Sequence, residues 1–269
     1  MHIARQILPN IPAVFCNTGN ENPSIVKHVK TFDNVEIIRP KKTIKEIIIE
    51  KGYPVISKEF SQEFARSQRT PNGKTMLRKF ISEETKDRWS YRQWKFLFEA
   101  NIPISHSCCE YLKKKPFKEY EEKNKVSPIL GILAMESSLR KRQWFTTGCN
   151  IFNNRRNTSK PLSFWTEQDI LEYIRRTEIK IADCYGDIIE TKKGLKLTGE
   201  QRTGCMLCLF GSKNILQKRL KRLRETYPKM YNQELRGGEE INGLWRPNAE
   251  GFGYRHVLDT IYKGEFKYE

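Results

Sequence analysis

The feature that most constrains the fold is an alternation of short apolar runs with segments of helical periodicity. The apolar runs 11–19 and 34–40 end in Thr-Gly and in proline, as strands that stop at loops do. The segments 23–32 and 43–52 have helical spacing, the first with a proline near its start and the second closed by glycine. This alternation predicts a parallel sheet covered by helices, and therefore an α/β fold.

Other stretches predict further elements of the same fold. The apolar run 127–135 predicts another buried strand. Thr166, with Asp169 three residues later, resembles a capping box and predicts a helix over 166–177.

Basic and aromatic residues without a clear strand pattern fill two large parts of the chain. The part at about 60–100 predicts a helical insertion, and the part at about 212–269 predicts C-terminal helices. No internal repeat or low-complexity linker occurs, so we expect one domain over 1–269.

Charge and composition narrow the class of protein. Hydrophobic residues make up 38% and charged residues 30%, a balance typical of globular proteins. Lysine and arginine number 49 against 32 acidic residues, a net charge of +17. This charge indicates either a solvated basic surface or a surface that binds a polyanion such as a nucleotide, a sulfated nucleotide or a nucleic acid. Without a run of about 20 apolar residues or a signal peptide, we expect a cytoplasmic protein that does not span a membrane.

Three loops of the predicted sheet carry residues suited to an anion. Ligands of open parallel sheets bind beyond the carboxyl ends of the strands. Small residues, hydroxyls and arginines there offer backbone approach, hydrogen-bond donors and bidentate cations to phosphate or sulfate. The predicted nucleotide- or anion-binding residues are Asn17, Thr18, Gly19, Arg39, Glu136, Ser137 and Arg140.

Two pairs of cysteines stand out among the seven in the chain. Cys205 and Cys208 form a C-x-x-C motif, and Cys108 and Cys109 are adjacent. Four thiolates could hold an iron–sulfur cluster or zinc, and the C-x-x-C pair alone could form a redox disulfide. Ordinary buried cysteines are the fourth interpretation. The presence of both pairs favours a metal or cluster.

Six stretches, in order over about residues 11 to 211, resemble the phosphoadenosine phosphosulfate (PAPS) reductase family. They are VFCNTGNENPS, GYPVISK, SHSCCEYLKKKP, ILAMESSLRKRQW, KPLSFWTEQDILEYI and RTGCMLCLFG. The resemblance implies a Rossmann-like, adenine nucleotide alpha-hydrolase-like fold. It also implies that Cys108, Cys109, Cys205 and Cys208 ligate a [4Fe–4S] cluster, with zinc as the alternative. ATP, PAPS or adenylyl sulfate (APS) is the implied ligand, with Thr18-Gly19 near the nucleotide and Arg140 facing its phosphate or sulfate.

The chain also departs from the family's pattern. The family's first strand and phosphate loop would precede Met1, Asn17 stands where many members have aspartate, and no cysteine follows Cys208. Since a C-terminal cysteine is the nucleophile of the reductases, the resemblance implies sulfur and adenine-nucleotide chemistry in a protein that would be inactive as given. One alternative is an ATP-pyrophosphatase-type enzyme of nucleic-acid sulfur modification, similar to DNA phosphorothioation proteins. Another is a nonenzymatic remnant that binds a cluster or nucleotide.

Overall fold

The structure is a computed structural model that describes residues 1–82, 90–152, 156–206 and 208–268. Its α-helices are α1 (His2–Ile7), α2 (Pro23–Val29), α3 (Ile44–Lys51), α4 (Lys58–Arg69), α5 (Lys74–Met76), α6 (Lys115–Asn124), α7 (Ser138–Thr147), α8 (Glu167–Thr177), α9 (Lys213–Thr226), α10 (Pro228–Leu235) and α11 (Tyr254–Ile261). Short 3₁₀ or π turns cover Leu77–Ile81, Arg92–Phe98, Glu110–Lys114, Ala134–Glu136 and Asp183–Tyr185. Among the described residues, no helix is both long and apolar enough to cross a membrane.

The strands are short and lie in pairs. They are β1 (Ala13–Cys16), β2 (Val35–Ile38), β3 (Val55–Ile56), β4 (Asn150–Ile151), β5 (Thr158–Ser159), β6 (Ile188–Thr191), β7 (Gly194–Leu197), β8 (Leu209–Phe210), β9 (Glu239–Ile241) and β10 (Leu244–Arg246). The β1–β2 and β3–β8 pairs are parallel, and the β4–β5, β6–β7 and β9–β10 pairs are antiparallel. The mixture of helices with parallel pairs confirms the predicted α/β class.

The chain divides into two compact units. Unit 1 contains Met1–Arg39 and Lys114–Met206, and unit 2 contains Pro40–Lys113 and Leu207–Glu269. The expectation of a single domain stays a prediction.

Unit 1 contains the β1–β2 pair and two hairpins. Ala13 pairs with Val35 and Cys16 with Ile38, so the two strands end side by side. Helix α8 begins at the predicted capping box, in which the Thr166 side chain accepts from the Asp169 backbone N–H and the Asp169 carboxylate accepts from Thr166. These reciprocal bonds satisfy N–H groups that the first turn of a helix cannot bond internally.

Unit 2 contains most of the buried apolar side chains among the described residues. Phe60 and Phe64 on α4 are fully buried, and the Phe64 ring stacks on Phe98 with centroids 4.1 Å apart. Helix α3 ends at Gly52, as predicted, with φ at 110°. A Cβ at this glycine would lie 2.4 Å from the carbonyl oxygen of Pro103, so both the dihedral angle and the close approach require glycine.

The helical predictions for unit 2 are confirmed within the described residues. Helices and helical turns occupy most of the predicted insertion, of which residues 83–89 lie outside the described residues. The C-terminal part contains α9, α10 and α11 as expected, together with the β9–β10 hairpin, which was not predicted.

The prediction of a buried strand over 127–135 is wrong. The segment has no strand, its one isolated bridge within the described residues joins Ile129 to Ser159, and Ile129 is 47% exposed. Pro128 lacks the N–H that a central strand needs, and a short apolar run has no periodicity that separates a strand from an irregular segment. The Glu136–Arg140 loop therefore does not follow a strand of the sheet.

Candidate functional site

The first two predicted loops lie next to each other in unit 1. The backbone N–H of Asn17 donates to the carbonyl oxygen of Ile38 at 2.9 Å, so the ends of β1 and β2 adjoin. Thr18 follows Asn17, and an exposed Arg39 follows Ile38. Parallel pairing thus brings these two predicted loops to one edge, as the sequence indicates.

A carboxylate already occupies the donors of the Thr18 loop. The Thr18 backbone N–H and hydroxyl both donate to Glu21 Oε2, at 2.8 and 2.7 Å. The Gly19 N–H donates to Asn17 Oδ1 at 3.0 Å. An anion would have to displace Glu21 to reach these donors. Sequence reasoning missed Glu21, although its position three residues after Thr18 matches the spacing of a capping box.

The third loop forms the start of α7. Ser137 is its N-cap, with the hydroxyl oxygen accepting from the Arg140 backbone N–H at 3.2 Å. The Arg140 guanidinium forms an ion pair with the carboxylate of Glu136. The three predicted residues of this loop therefore lie together, with Arg140 already bound by an internal carboxylate.

A small cavity opens on the side of α7 that carries Arg140. Its volume is about 70 Å³, which holds a few water-sized groups, as a tetrahedral oxyanion would need. The residues that line it are Ile132, Ala134, Arg140, Gln143, Trp144, Gly148, Lys160 and Ser163.

Positive charge is concentrated at this cavity. Lys160 is half-buried, and its Nζ donates to Gln143 Oε1 at 2.9 Å. Burial, together with the nearby charges of Arg140 and Arg156, lowers the pKa of Lys160 below its ordinary value. Cations held this close together form a favourable site for an anion.

Sequence reasoning missed Lys160 and Gln143. The signal for Gln143 was its helical spacing, three residues after Arg140 on the same face of α7. No local signal identifies Lys160, because it reaches the cavity through the folding of the segment after β5.

The predicted cysteine ligands divide between the units. Cys108, Cys109 and Cys208 belong to unit 2, and Cys205 belongs to unit 1. All four are thiols. In the described ranges, no group of three or more His, Cys, Asp or Glu side chains is arranged to hold a metal ion.

The backbone of unit 2 brings Cys208 near the adjacent cysteines. Tyr53, just before β3, forms a bridge with Ile104, and Val55 in β3 pairs with Leu209 in β8. Burial raises the pKa of the Cys208 thiol, the Phe210 backbone and Arg219 oppose this rise, and nearby Cys109 adds to it. The last effect shows that two of the predicted ligands are close enough to interact.

Two ionisable side chains of unit 2 were not predicted. Glu234 on α10 is fully buried, and this burial raises its pKa to about 8, against the opposing charge of Arg219 on α9. Among the described residues, nothing forms a hydrogen bond with either carboxylate oxygen of Glu234 or with Nε and Nη2 of Arg219, although all are buried. In the sequence both occupy polar helical positions that resemble surface, so no local signal marks them.

These residues fit an iron–sulfur cluster in chemical terms. Thiolates are the usual ligands of such clusters, and hydrogen bonds to cluster sulfur tune them. The Arg219 guanidinium lies within hydrogen-bonding reach of the Cys208 thiol, and its buried Nε and Nη2 are donors of the kind that an anionic group beside Cys208 would satisfy.

A comparison with models of known protein families supports the resemblance seen in the six sequence stretches. The model of the phosphoadenosine phosphosulfate reductase domain matches residues 1–208. Curated proteins give no match. The family has the Rossmann-like, adenine nucleotide alpha-hydrolase-like fold, and its members bind a sulfonucleotide or an adenine nucleotide. Because the match covers well over half of the 269 residues, the chain belongs to the phosphoadenosine phosphosulfate reductase family.

Proposed function

We propose that the protein binds an adenine sulfonucleotide through the cavity of unit 1 and takes part in reductase-type sulfur chemistry. The observation that carries this proposal is the cluster of cations at that cavity, where Arg140 and Lys160 lie beside the hydroxyl-bearing Ser163. The sulfate or phosphate group occupies the cavity, since guanidinium and ammonium groups are the preferred protein donors to both.

Glu136 controls access to Arg140 in this proposal. Its carboxylate forms an ion pair with the guanidinium, so an incoming anion competes with it for the same donors. Glu21 has the same relation to the Thr18 loop. Binding therefore exchanges internal carboxylates for an external oxyanion, with Lys160 supplying a cation that has no carboxylate on it in the described structure.

Isothermal titration with PAPS, APS and ATP tests the proposal. Arg140→Ala removes a charged hydrogen-bond donor and weakens sulfonucleotide binding by about tenfold or more. Glu136→Gln releases Arg140 from its ion pair and strengthens binding. Arg142→Ala is the matched control, because Arg142 lies on α7 but does not line the cavity.

The three variants separate the possible outcomes. Equal losses in Arg140→Ala and Arg142→Ala would mean a general effect of positive charge and would contradict a site at the cavity. Tight binding of ATP with no binding of PAPS or APS would favour the ATP-pyrophosphatase alternative over sulfonucleotide chemistry.

We also propose that Cys108, Cys109 and Cys208 ligate a [4Fe–4S] cluster, with Cys205 as the fourth ligand expected from the C-x-x-C motif. Support comes from the interaction of Cys109 with Cys208 and from the buried donors of Arg219. A bound cluster supplies a redox-active centre whose potential depends on the hydrogen bonds it accepts. Zinc on the same thiolates is the alternative.

Iron, sulfide and zinc analysis of anaerobically purified protein tests the cluster. Cys109→Ser and Cys208→Ser lose iron and sulfide together, whereas Cys149→Ser, a half-buried cysteine with no proposed role, retains them. Zinc without iron would select the alternative. Protein that contains neither metal, and whose thiols all react with a thiol reagent, would contradict the proposal.

A further inference from the structure

Helix α7 has a second face, formed by other residues than the face at the cavity. Ser138, Lys141, Arg142 and Phe145 follow the spacing i, i+3, i+4 and i+7 and therefore share one side of the helix. With Thr146 they line a shallow, open surface. None of these five residues lines the cavity that contains Arg140.

This face has an aromatic ring exposed beside cations. None of the residues of α7 is buried, and Phe145 is 70% exposed. The Lys141 Nζ lies 5.8 Å from the centre of the Phe145 ring. An exposed phenylalanine buries its surface only when a partner covers it, and a cation beside the ring adds attraction for a flat, electron-rich group.

The cations of this face have no internal carboxylate. Within the part of the chain that the structure describes, Lys141 and Arg142 form no ion pair, whereas Arg140 pairs with Glu136 and Arg156 with Glu121. Helix α7 itself contains no acidic residue. Its outer face is therefore complementary to a partner that carries several negative charges.

We propose that this face, Ser138–Lys141–Arg142–Phe145, binds single-stranded nucleic acid. Cations for the phosphates together with an exposed ring for base stacking are the combination that recognises a single strand without sequence preference. A second copy of the same face would bring its own positive charge against Lys141 and Arg142, so self-association through it is unfavourable. None of its residues lines the proposed nucleotide cavity, although the Phe145 ring lies 5.2 Å from the ring of Trp144, which does.

Fluorescence anisotropy with a labelled oligothymidylate of about 16 nucleotides, in a salt series, tests the proposal on the full chain. Phe145→Ala weakens binding by about tenfold through lost stacking. Lys141→Gln/Arg142→Gln lowers the slope of log affinity against log salt by about 1.4, since each phosphate contact on a single strand contributes about 0.7.

The β6–β7 hairpin of the same unit supplies matched controls. Lys192→Gln/Lys193→Gln removes two exposed cations there, and Ile189→Ala removes an exposed apolar side chain. Both leave stacking and phosphate contacts at α7 intact, so the oligonucleotide affinity changes less than twofold in Ile189→Ala and the salt slope stays the same in both.

Several results would overturn the proposal. Equal losses in the α7 and hairpin charge variants would indicate non-specific attraction to a basic protein. Polyglutamate that competes as well as the oligonucleotide would indicate an acidic peptide. Displacement of the strand by equimolar mononucleotide would place the contact at a nucleotide pocket, and loss of self-association in Phe145→Ala without any strand binding would indicate a second copy.

Discussion

The two units differ most in what they bury. Among the described residues, the largest fully buried side chains, such as Tyr53, Phe60 and Tyr254, all lie in unit 2. Both units expose some large apolar side chains, but unit 1 exposes more of them among the described residues, including Phe145 at 70% and Phe152 at 82%. Since burial of apolar surface is the main stabilising term in folding, unit 2 contributes most of the stability of the chain.

The difference in burial matches the way the two proposed sites are divided between the units. The proposed anion-binding residues, among them Arg140 and Lys160, belong to unit 1, where side chains remain available to ligands. Three of the four cysteines belong to unit 2, where Cys108 is buried and Cys109 and Cys208 are half-buried. Recognition surfaces are commonly found in the less stable parts of proteins, and a ligand that binds only the folded state stabilises it.

The largest expected effect comes from removing one aromatic ring from each unit. Phe64→Ala deletes a fully buried ring that stacks on Phe98 and lowers the free energy of unfolding by about 3–5 kcal/mol. Phe145→Ala deletes an exposed ring from unit 1 and changes the same quantity by less than about 0.5 kcal/mol. Urea denaturation followed by circular dichroism measures both. Similar losses in the two variants would remove the proposed difference between the units.

The second prediction concerns the buried acid of unit 2. Burial raises the pKa of Glu234 to about 8 from 4.5, so the folded state binds a proton that the unfolded state has released. Stability from the neutral carboxyl is fully present below pH 4.5 and is lost as the pH rises toward 8, by about 1.4 kcal/mol per pH unit.

Glu234→Gln keeps the shape of the side chain but cannot ionise, so it neither binds nor releases a proton on unfolding. Its free energy of unfolding therefore exceeds that of the wild type by an amount that grows between pH 5 and pH 7, in denaturation curves measured at each pH. Glu225→Gln on α9 replaces an exposed acid and serves as the control. A Glu234→Gln effect that is the same at both pH values would show that the carboxyl is ionised when buried.

The features that the sequence predicted correctly are those that local chemistry determines. The capping box at Thr166 and the glycine that ends α3 depend on residues only a few positions apart. Strands β1 and β2 were also predictable, because each apolar run ends at a residue that stops a strand.

The features that were missed depend on residues distant in the sequence. The run 127–135 is as apolar as β1, but among the described residues no strand pairs with it beyond a bridge at Ile129. Glu234 and Arg219 lie on helices whose polar positions are usually solvated, and only tertiary packing buries the Glu234 side chain and the Nε and Nη2 atoms of Arg219. Tertiary contacts of this kind leave no periodicity in the sequence.

The smallest expected effect tests the difference between the units most directly, because each unit contains a helix that begins with a capping box. Thr43 begins α3 in unit 2 and Thr166 begins α8 in unit 1, and each forms a capping box. Replacing either threonine by alanine removes a cap that contributes about 1 kcal/mol. In unit 2 this loss lowers the free energy of global unfolding, because α3 packs Ile47 and Ile48 into the core.

In unit 1 the same loss acts locally. Helix α8 buries only Leu171 among its residues, so it opens without global unfolding. Thr166→Ala therefore leaves the denaturation midpoint unchanged and speeds amide hydrogen exchange within Glu167–Thr177 about fivefold, as a loss of about 1 kcal/mol requires. Thr43→Ala lowers the midpoint instead. Equal shifts of the midpoint in both variants would mean that the two units unfold together, so that their difference in burial does not separate their stabilities.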